Sequence, residues 1–222
     1  MRSMREHDAD AIFHVLCMDS ETYELLSALG EPHTHLVRLA ALEAPEVLKV
    51  KPGRSIAEYC WTLTPVLMTY LLDAHPEVDE FVYLDADIMF FSSAQPLLDE
   101  SSQASITIIE HRYQEWNRDL LECGRFNVEW VGFRQNAVGR ACAARWRAEC
   151  LEWCYARVED GRMGDQKYLD AWPTDFPSVH VLQHPGAGVA PWNFTNHPIS
   201  NRGGAIFIGD EIGRASGRER VF

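Results

Sequence analysis

Two aspartates one residue apart, Asp85-Ala86-Asp87, are the sharpest chemical signal in the chain, set in the run EFVYLDADIMFF. On an extended backbone, side chains at i and i+2 point the same way with origins about 7 Å apart. Two carboxylates so placed can converge on one divalent cation, leaving the rest of its shell to water and phosphate oxygens. Burying both acids beside Val82, Tyr83, Leu84 and Phe90 without a partner costs several kcal/mol, which argues that they have a task. In open α/β sheets the end of such a strand is also where ligands bind.

The elements that must position this pair follow from the patterning. Ile12 to Cys17, His35 to Leu39, the EFVYLDADIMFF run, Ile106 to Ile109, Val128 to Phe133, Val179 to Leu182 and Ala205 to Ile208 read as strands. Between them, Asp19-Ser20 caps a helix that Gly30 ends, Ser55 to Leu63 is helical, and Thr64-Pro65 opens a further helix striped by Val66, Leu67, Tyr70 and Leu71. Ala137 to Val158 is a long helix with Cys142, Trp146, Cys150 and Cys154 on one face, and Gly164 to Ala171 a short one. Strands alternating with helices predict an α/β/α sandwich around a mixed, mostly parallel sheet.

The composition narrows the function classes. Twenty basic against 33 acidic residues give a net charge of −13 over 222 residues, which excludes a binder of nucleic-acid backbones. A phosphorylated ligand would need a metal ion to offset that charge. No window reaches the ~18 apolar residues of a membrane span, and MRSMREHDADAIF lacks the apolar core of a signal peptide. The six cysteines form no CxxC pair and read as buried small hydrophobes. A cytoplasmic protein is expected. The tail EIGRASGRERVF reads as a translated sequencing adapter, so residues 1–210 are taken as one domain and 211–222 as an artefact. MRSMREH reads as a loose helical end, and a fragment lacking its first strand is expected.

YLDADIMFF resembles the DxD strand of GT-A fold glycosyltransferases, which bind Mn²⁺ or Mg²⁺ and the diphosphate of a nucleotide-sugar donor there. Later segments resemble, in order, those of the retaining family-eight transferases. FNVEWVGF matches their FNxG-type strand, which implies that Asn127 meets the donor sugar. GDQKYLDAWP matches their DQ element, which implies catalytic roles for Asp165 and Gln166. HPGAGVAPWN is similar to their HxxGxxKPW element, which implies His184 as a third metal ligand beside Asp85 and Asp87, with Gly188 and Trp192 at the donor. Together with VLCMDSETYELL and EYCWTLTP, the set looks most like bacterial nucleotide-diphospho-sugar transferases, and covers roughly residues 13–210.

Two departures matter. The glycine is displaced to Gly188, and Ala190 stands where the family has its phosphate-binding lysine, so Arg54 or Lys51 is expected to serve the diphosphate. The resemblance implies transfer from a nucleotide sugar, a UDP-sugar foremost, with retention, to a glycan, lipid or protein acceptor. The cation on Asp85 and Asp87, with Ala86 between them at the donor, would stabilise the leaving diphosphate. Asp165 is the candidate nucleophile if a covalent intermediate forms.

Three rivals remain. A phosphatase using DxD would follow it with Gly-Thr, whereas Ile88-Met89 follows here. A nucleotidyltransferase or a non-catalytic sugar-nucleotide binder suits the same fold. Glu110-His111-Arg112 is either an acceptor-side loop or a solvated turn. Glu58 and Tyr59 read as caps rather than site residues, and of Trp61, Trp130, Trp172 and Trp192 only the last rivals a core role.

Overall fold

A computed structural model describes residues 1–203, 205–209 and 211–212. The elements run α1 (Arg2–Arg5), β1 (Phe13–Cys17), α2 (Ser20–Leu29), β2 (Thr34–Arg38), α3 (Pro45–Val50), α4 (Ile56–Ala74), β3 (Glu80–Leu84), α5 (Gln95–Glu100), β4 (Ile106–Glu110), β5 (Phe126–Arg134), α6 (Ala137–Glu152), α7 (Trp172–Asp175), β6 (Val179–Val181), β7 (Ile199–Arg202), β8 (Ala205–Ile208) and β9 (Glu211–Ile212). The protein is α/β, and its central sheet is mixed with the order β3-β5-β4-β6. β4 and β6 are parallel, while β5 runs antiparallel to both β3 and β4. Most pairings in this sheet are therefore antiparallel, because β5 lies between two strands of the opposite direction. β1 and β2 form a separate parallel pair. β7, β8 and β9 form an antiparallel sheet, of which the sequence pattern had signalled only β8. Residues 213–222, the rest of the suspected adapter tail, lie outside the described residues.

The helix boundaries follow local chemistry. Asp19 accepts the Thr22 N–H at 2.6 Å to start α2, and Gly30 closes it at φ 58°. The expected helix start at Thr64-Pro65 is corrected. Ser55 and Glu58 form a reciprocal capping box that starts α4 nine residues earlier, and Pro65 sits inside it. The Thr62 and Thr64 hydroxyls bond back to the carbonyls of Glu58 and Cys60, as threonines do near an interrupted helical ladder. α6 ends at Glu152 instead of Val158.

The main core lies between α4, α6 and β5. Leu63, Met68, Leu72, Ile106, Phe126, Phe133, Trp146 and Trp172 are buried there. Trp146 meets Trp172 edge-on at 5.4 Å. Cys142, Cys150 and Cys154 are buried in the same core, and all six cysteines are free. Close docking of α6 on the sheet requires Gly139: a Cβ there would lie 2.2 Å from the Arg134 carbonyl oxygen.

Candidate functional site

β3 stops at Leu84, so Asp85 leads out of the strand and Ala86-Asp87 form a turn. This corrects the extended-strand argument: a turn, not strand alternation, sets the relation of the two carboxylates. Asp85 is half-buried, and Ala86 and Asp87 are exposed. The Tyr83 hydroxyl donates to Asp85 Oδ1 at 3.0 Å. Burial pushes the Tyr83 phenol well above its usual range, and the charges of Asp85 and Asp165 push the same way. Tyr83 thus keeps its proton and remains a donor to Asp85. The segment after the turn is pinned by the chain's first residues: Ser3 Oγ accepts the Phe90 N–H, and Asp8 accepts the Ala94 N–H at 2.8 Å. The expected loose helical end is therefore docked, as α1 and its loop, beneath the aspartate turn.

Asn127 and Asp165 are 3% and 5% exposed. Asn127 pairs in register with Ile109 of β4, just past a bulge, and its Oδ1 accepts the Glu129 N–H. Asp165 is held by its backbone, whose carbonyl accepts Trp146 Nε1–H at 2.9 Å. Gln166 Nε2 donates to the Cys123 carbonyl at 2.9 Å, clamping the entry to β5. The Tyr83 phenol is thus raised by burial and by the charges of both Asp85 and Asp165, and Asn127 lies on the adjacent strand.

The segment from His184 to Asn193 folds across the ends of β4 and β5. Arg112, at φ 51°, donates to the carbonyls of Leu182, His184 and Ala187. Burial lowers its proton affinity, and the carboxylates of Glu110, Glu100 and Glu129 oppose that shift. Trp192 Nε1–H donates to the His111 carbonyl, as does Asn193 Nδ2. Gly188 sits at φ 70°, and a Cβ there would meet Ile109 Cδ1 at 2.6 Å and Glu129 Oε1 at 3.1 Å. Ile88, Glu129 and Gly188 share the wall of a cavity of about 10 Å³, room for one water.

Among the described residues no group of three His, Cys, Asp or Glu side chains is arranged to hold a metal ion, so Asp85, Asp87 and His184 do not form a three-ligand set. His184 Nδ1 instead accepts the Gly186 N–H within its own loop. Arg54 has structural partners of its own. Its guanidinium donates to Thr62 Oγ1 and to the Cys154 and Leu151 carbonyls, closing the C-terminus of α6, while Lys51 pairs with Glu43. Glu58 is the capping-box acid and also accepts the Ala156 N–H, and Tyr59 donates to Glu43. Trp130 and Trp172 are core residues.

Sequence reasoning missed Glu129. It is 1% exposed, in the middle of β5, one residue from the Trp130–Leu84 pairing where β3 departs. The signal was available: a carboxylate inside an otherwise apolar strand is as costly as the aspartate pair.

The chain is 33% identical over 211 residues to the uncharacterized protein YfnD of Bacillus subtilis, an alignment covering 94% of this chain and 68% of YfnD. It belongs to the YfnD family. YfnF of the same organism, also uncharacterized, is 32% identical over 216 residues, covering 94% of this chain and 71% of YfnF. No protein-family model matches the chain. Among the described residues of this YfnD-family protein, no helix is long and apolar enough to cross a membrane.

Proposed function

We propose that this protein is a metal-dependent glycosyltransferase of the GT-A type, moving a sugar from a nucleoside-diphosphate sugar to an acceptor hydroxyl. The observation that carries the reading is the Asp85-Ala86-Asp87 turn leaving β3, with the Tyr83 hydroxyl donating to Asp85 at 3.0 Å and Asn127 on the adjacent strand β5. The donor set fits Mn²⁺ or Mg²⁺: two hard carboxylates, one of them exposed, suit an ion that completes its shell with water and phosphate oxygens. Asp85 and Asp87 would hold the ion, which when bound supplies charge stabilisation for the departing diphosphate.

The chain's own residues account for the rest. Tyr83 orients the Asp85 carboxylate by donating to one of its oxygens. Asn127 is fixed through its Oδ1, so its Nδ2 can donate to a sugar hydroxyl. Gln166 is fixed through its Nε2, which leaves its Oε1 as an acceptor. Holding donor and acceptor hydroxyl in one geometry supplies the remaining rate advantage. Retention at the anomeric carbon rests on the likeness of FNVEWVGF and GDQKYLDAWP to family-eight segments.

The test is release of nucleoside diphosphate from a panel of nucleotide sugars, with Mn²⁺ or with EDTA. Turnover is expected with metal only. Asp87→Asn should lower it about a hundredfold or more, with the melting temperature moved by less than about 2 °C because Asp87 is exposed. A variant as fast as wild type removes the aspartate pair from the mechanism. Tight nucleotide-sugar binding without turnover makes the protein a binder instead.

A further inference from the structure

The segment Glu115–Cys123 follows β4 and carries an isolated, open indole: Trp116 is 69% exposed. Its ring is not loose. Trp116 Nε1–H donates to Gln114 Oε1, and the Gln114 amide donates to Thr195 Oγ1 and to Asn196 Oδ1. Asn196 Nδ2 in turn donates to the Arg112 carbonyl at 2.9 Å. The next residue, Asn117, is 3% exposed, leaves helical geometry at φ −130°, and donates to the Trp192 carbonyl at 3.0 Å. Trp116 is thus anchored to the segment that carries Trp192 and, through Arg112, to the loop over β4 and β5.

An indole pinned by its edge keeps its faces free and loses little entropy when something stacks on it. Its surroundings are amides, a threonine hydroxyl and the acids Glu115 and Asp119, with Phe194, 52% exposed, just before Thr195. A flat apolar face bordered by hydrogen-bonding groups matches a pyranose, whose C–H face is apolar and whose rim is hydroxyl. Leu120 and Leu121 are also partly exposed, but EWNRDLLEC carries three acids and one arginine in a chain of net charge −13, which disfavours an anionic membrane surface.

We propose that Trp116, with Gln114 and Asn196, is a carbohydrate-stacking platform, and that the acceptor of this protein is a glycan. The word acceptor rests on the transferase reading; the platform does not.

The experiment titrates soluble trisaccharides (maltotriose, cellotriose, xylotriose and tri-N-acetylchitotriose) into the full chain, read by tryptophan fluorescence and saturation-transfer NMR. At least one should bind saturably. Trp116→Ala should weaken it about tenfold or more, Trp116→Phe should restore most of the affinity, and Asp87→Asn should leave it within about twofold of wild type. Nucleotide binding with Mn²⁺ should show the reverse pattern, lost in Asp87→Asn and kept in Trp116→Ala, so the two readings fail separately. Since Trp116 is exposed, its variants should melt with the wild type. The platform is overturned if no trisaccharide binds, if binding is indifferent to Trp116→Ala, or if only phosphatidylglycerol vesicles bind through Trp116.

Discussion

The β4–β5 pair and the β1–β2 pair are spelled in similar residues, short runs rich in Ile, Val, Phe and Leu, yet they end in opposite environments. Every residue of β5 from Phe126 to Phe133 is buried, as are Ile106 to Ile109 of β4. In β1 only Cys17 is buried, in β2 only Val37, and α2 buries nothing. The difference is one of neighbours. β5 is paired on both edges and covered by α6, whereas among the described residues β1 and β2 pair only with each other. The polar residues sort accordingly. Glu129 and Asn127 sit in the packed region, and Asp165 is held against it by Trp146, where low dielectric strengthens what they can do to a ligand. The looser region holds a histidine cluster: His14 stacks on His35 at 4.9 Å and meets His75 at 4.8 Å and Phe81 at 5.5 Å. The packed half is therefore expected to govern function and stability together, and the loose half to set the response to pH.

The largest effect that would sharpen this contrast is at Trp146, fully buried and the donor to the Asp165 carbonyl. Trp146→Ala should cost about 3–5 kcal/mol in urea unfolding and displace Asp165, so activity should fall even where the variant is folded. Trp146→Phe should recover most of the stability without the hydrogen bond. An alanine variant that costs less than about 1 kcal/mol would break the claim that this half carries the stability.

Gly188→Ala comes next. Its Cβ would press on Ile109 Cδ1 and Glu129 Oε1 at a positive φ, so a loss of about 1–3 kcal/mol is expected, with a shifted loop and a weaker site. Unchanged melting and unchanged turnover would show that the loop accommodates the methyl and is not tightly seated on Glu129.

The smallest effect belongs to the loose half. His14 is held at about 4 against its usual 6.5, by burial first and by the charges of His75 and His35 second. Between those values the unfolded chain binds a proton that the folded chain refuses, so stability falls as pH drops through the window and is unaffected above it. His14 is half-exposed, and after solvent screening the effect is about 1 kcal/mol or less. His14→Phe should flatten the melting temperature between pH 7 and about 4, with His35, His75 and Glu77, which pairs with His75, left in place. A profile that stays as steep assigns the acid sensitivity elsewhere.

Much of this was legible from local chemistry alone. Asp19 and Gly30 delimit α2, Ile106 to Ile109 form β4, and the aspartate pair sits at the end of its strand. What was not legible depends on partners distant in sequence. Arg54 is expected at the diphosphate, and only the position of the α6 C-terminus shows its guanidinium donating to the Cys154 and Leu151 carbonyls, 100 and 97 residues away. Pro65 reads as a helix start because its ring suits one, yet the Ser55–Glu58 box overrides it. Trp116 carries no motif, and its importance comes from Gln114 meeting Thr195 and Asn196, 81 and 82 residues away.

By itself the amino-acid order determined the α/β character, the acidic balance, the caps and the place of Asp85 and Asp87 after a buried strand. These depend on periodicity and on interactions spanning a few residues. Only the tertiary structure decided that β5 runs against β3 and β4, that the Tyr83 hydroxyl donates to Asp85, and that Glu129 lies under Gly188. The reason is that strand direction and burial are settled by contacts between segments 16 to 79 residues apart, whose energies no local pattern records.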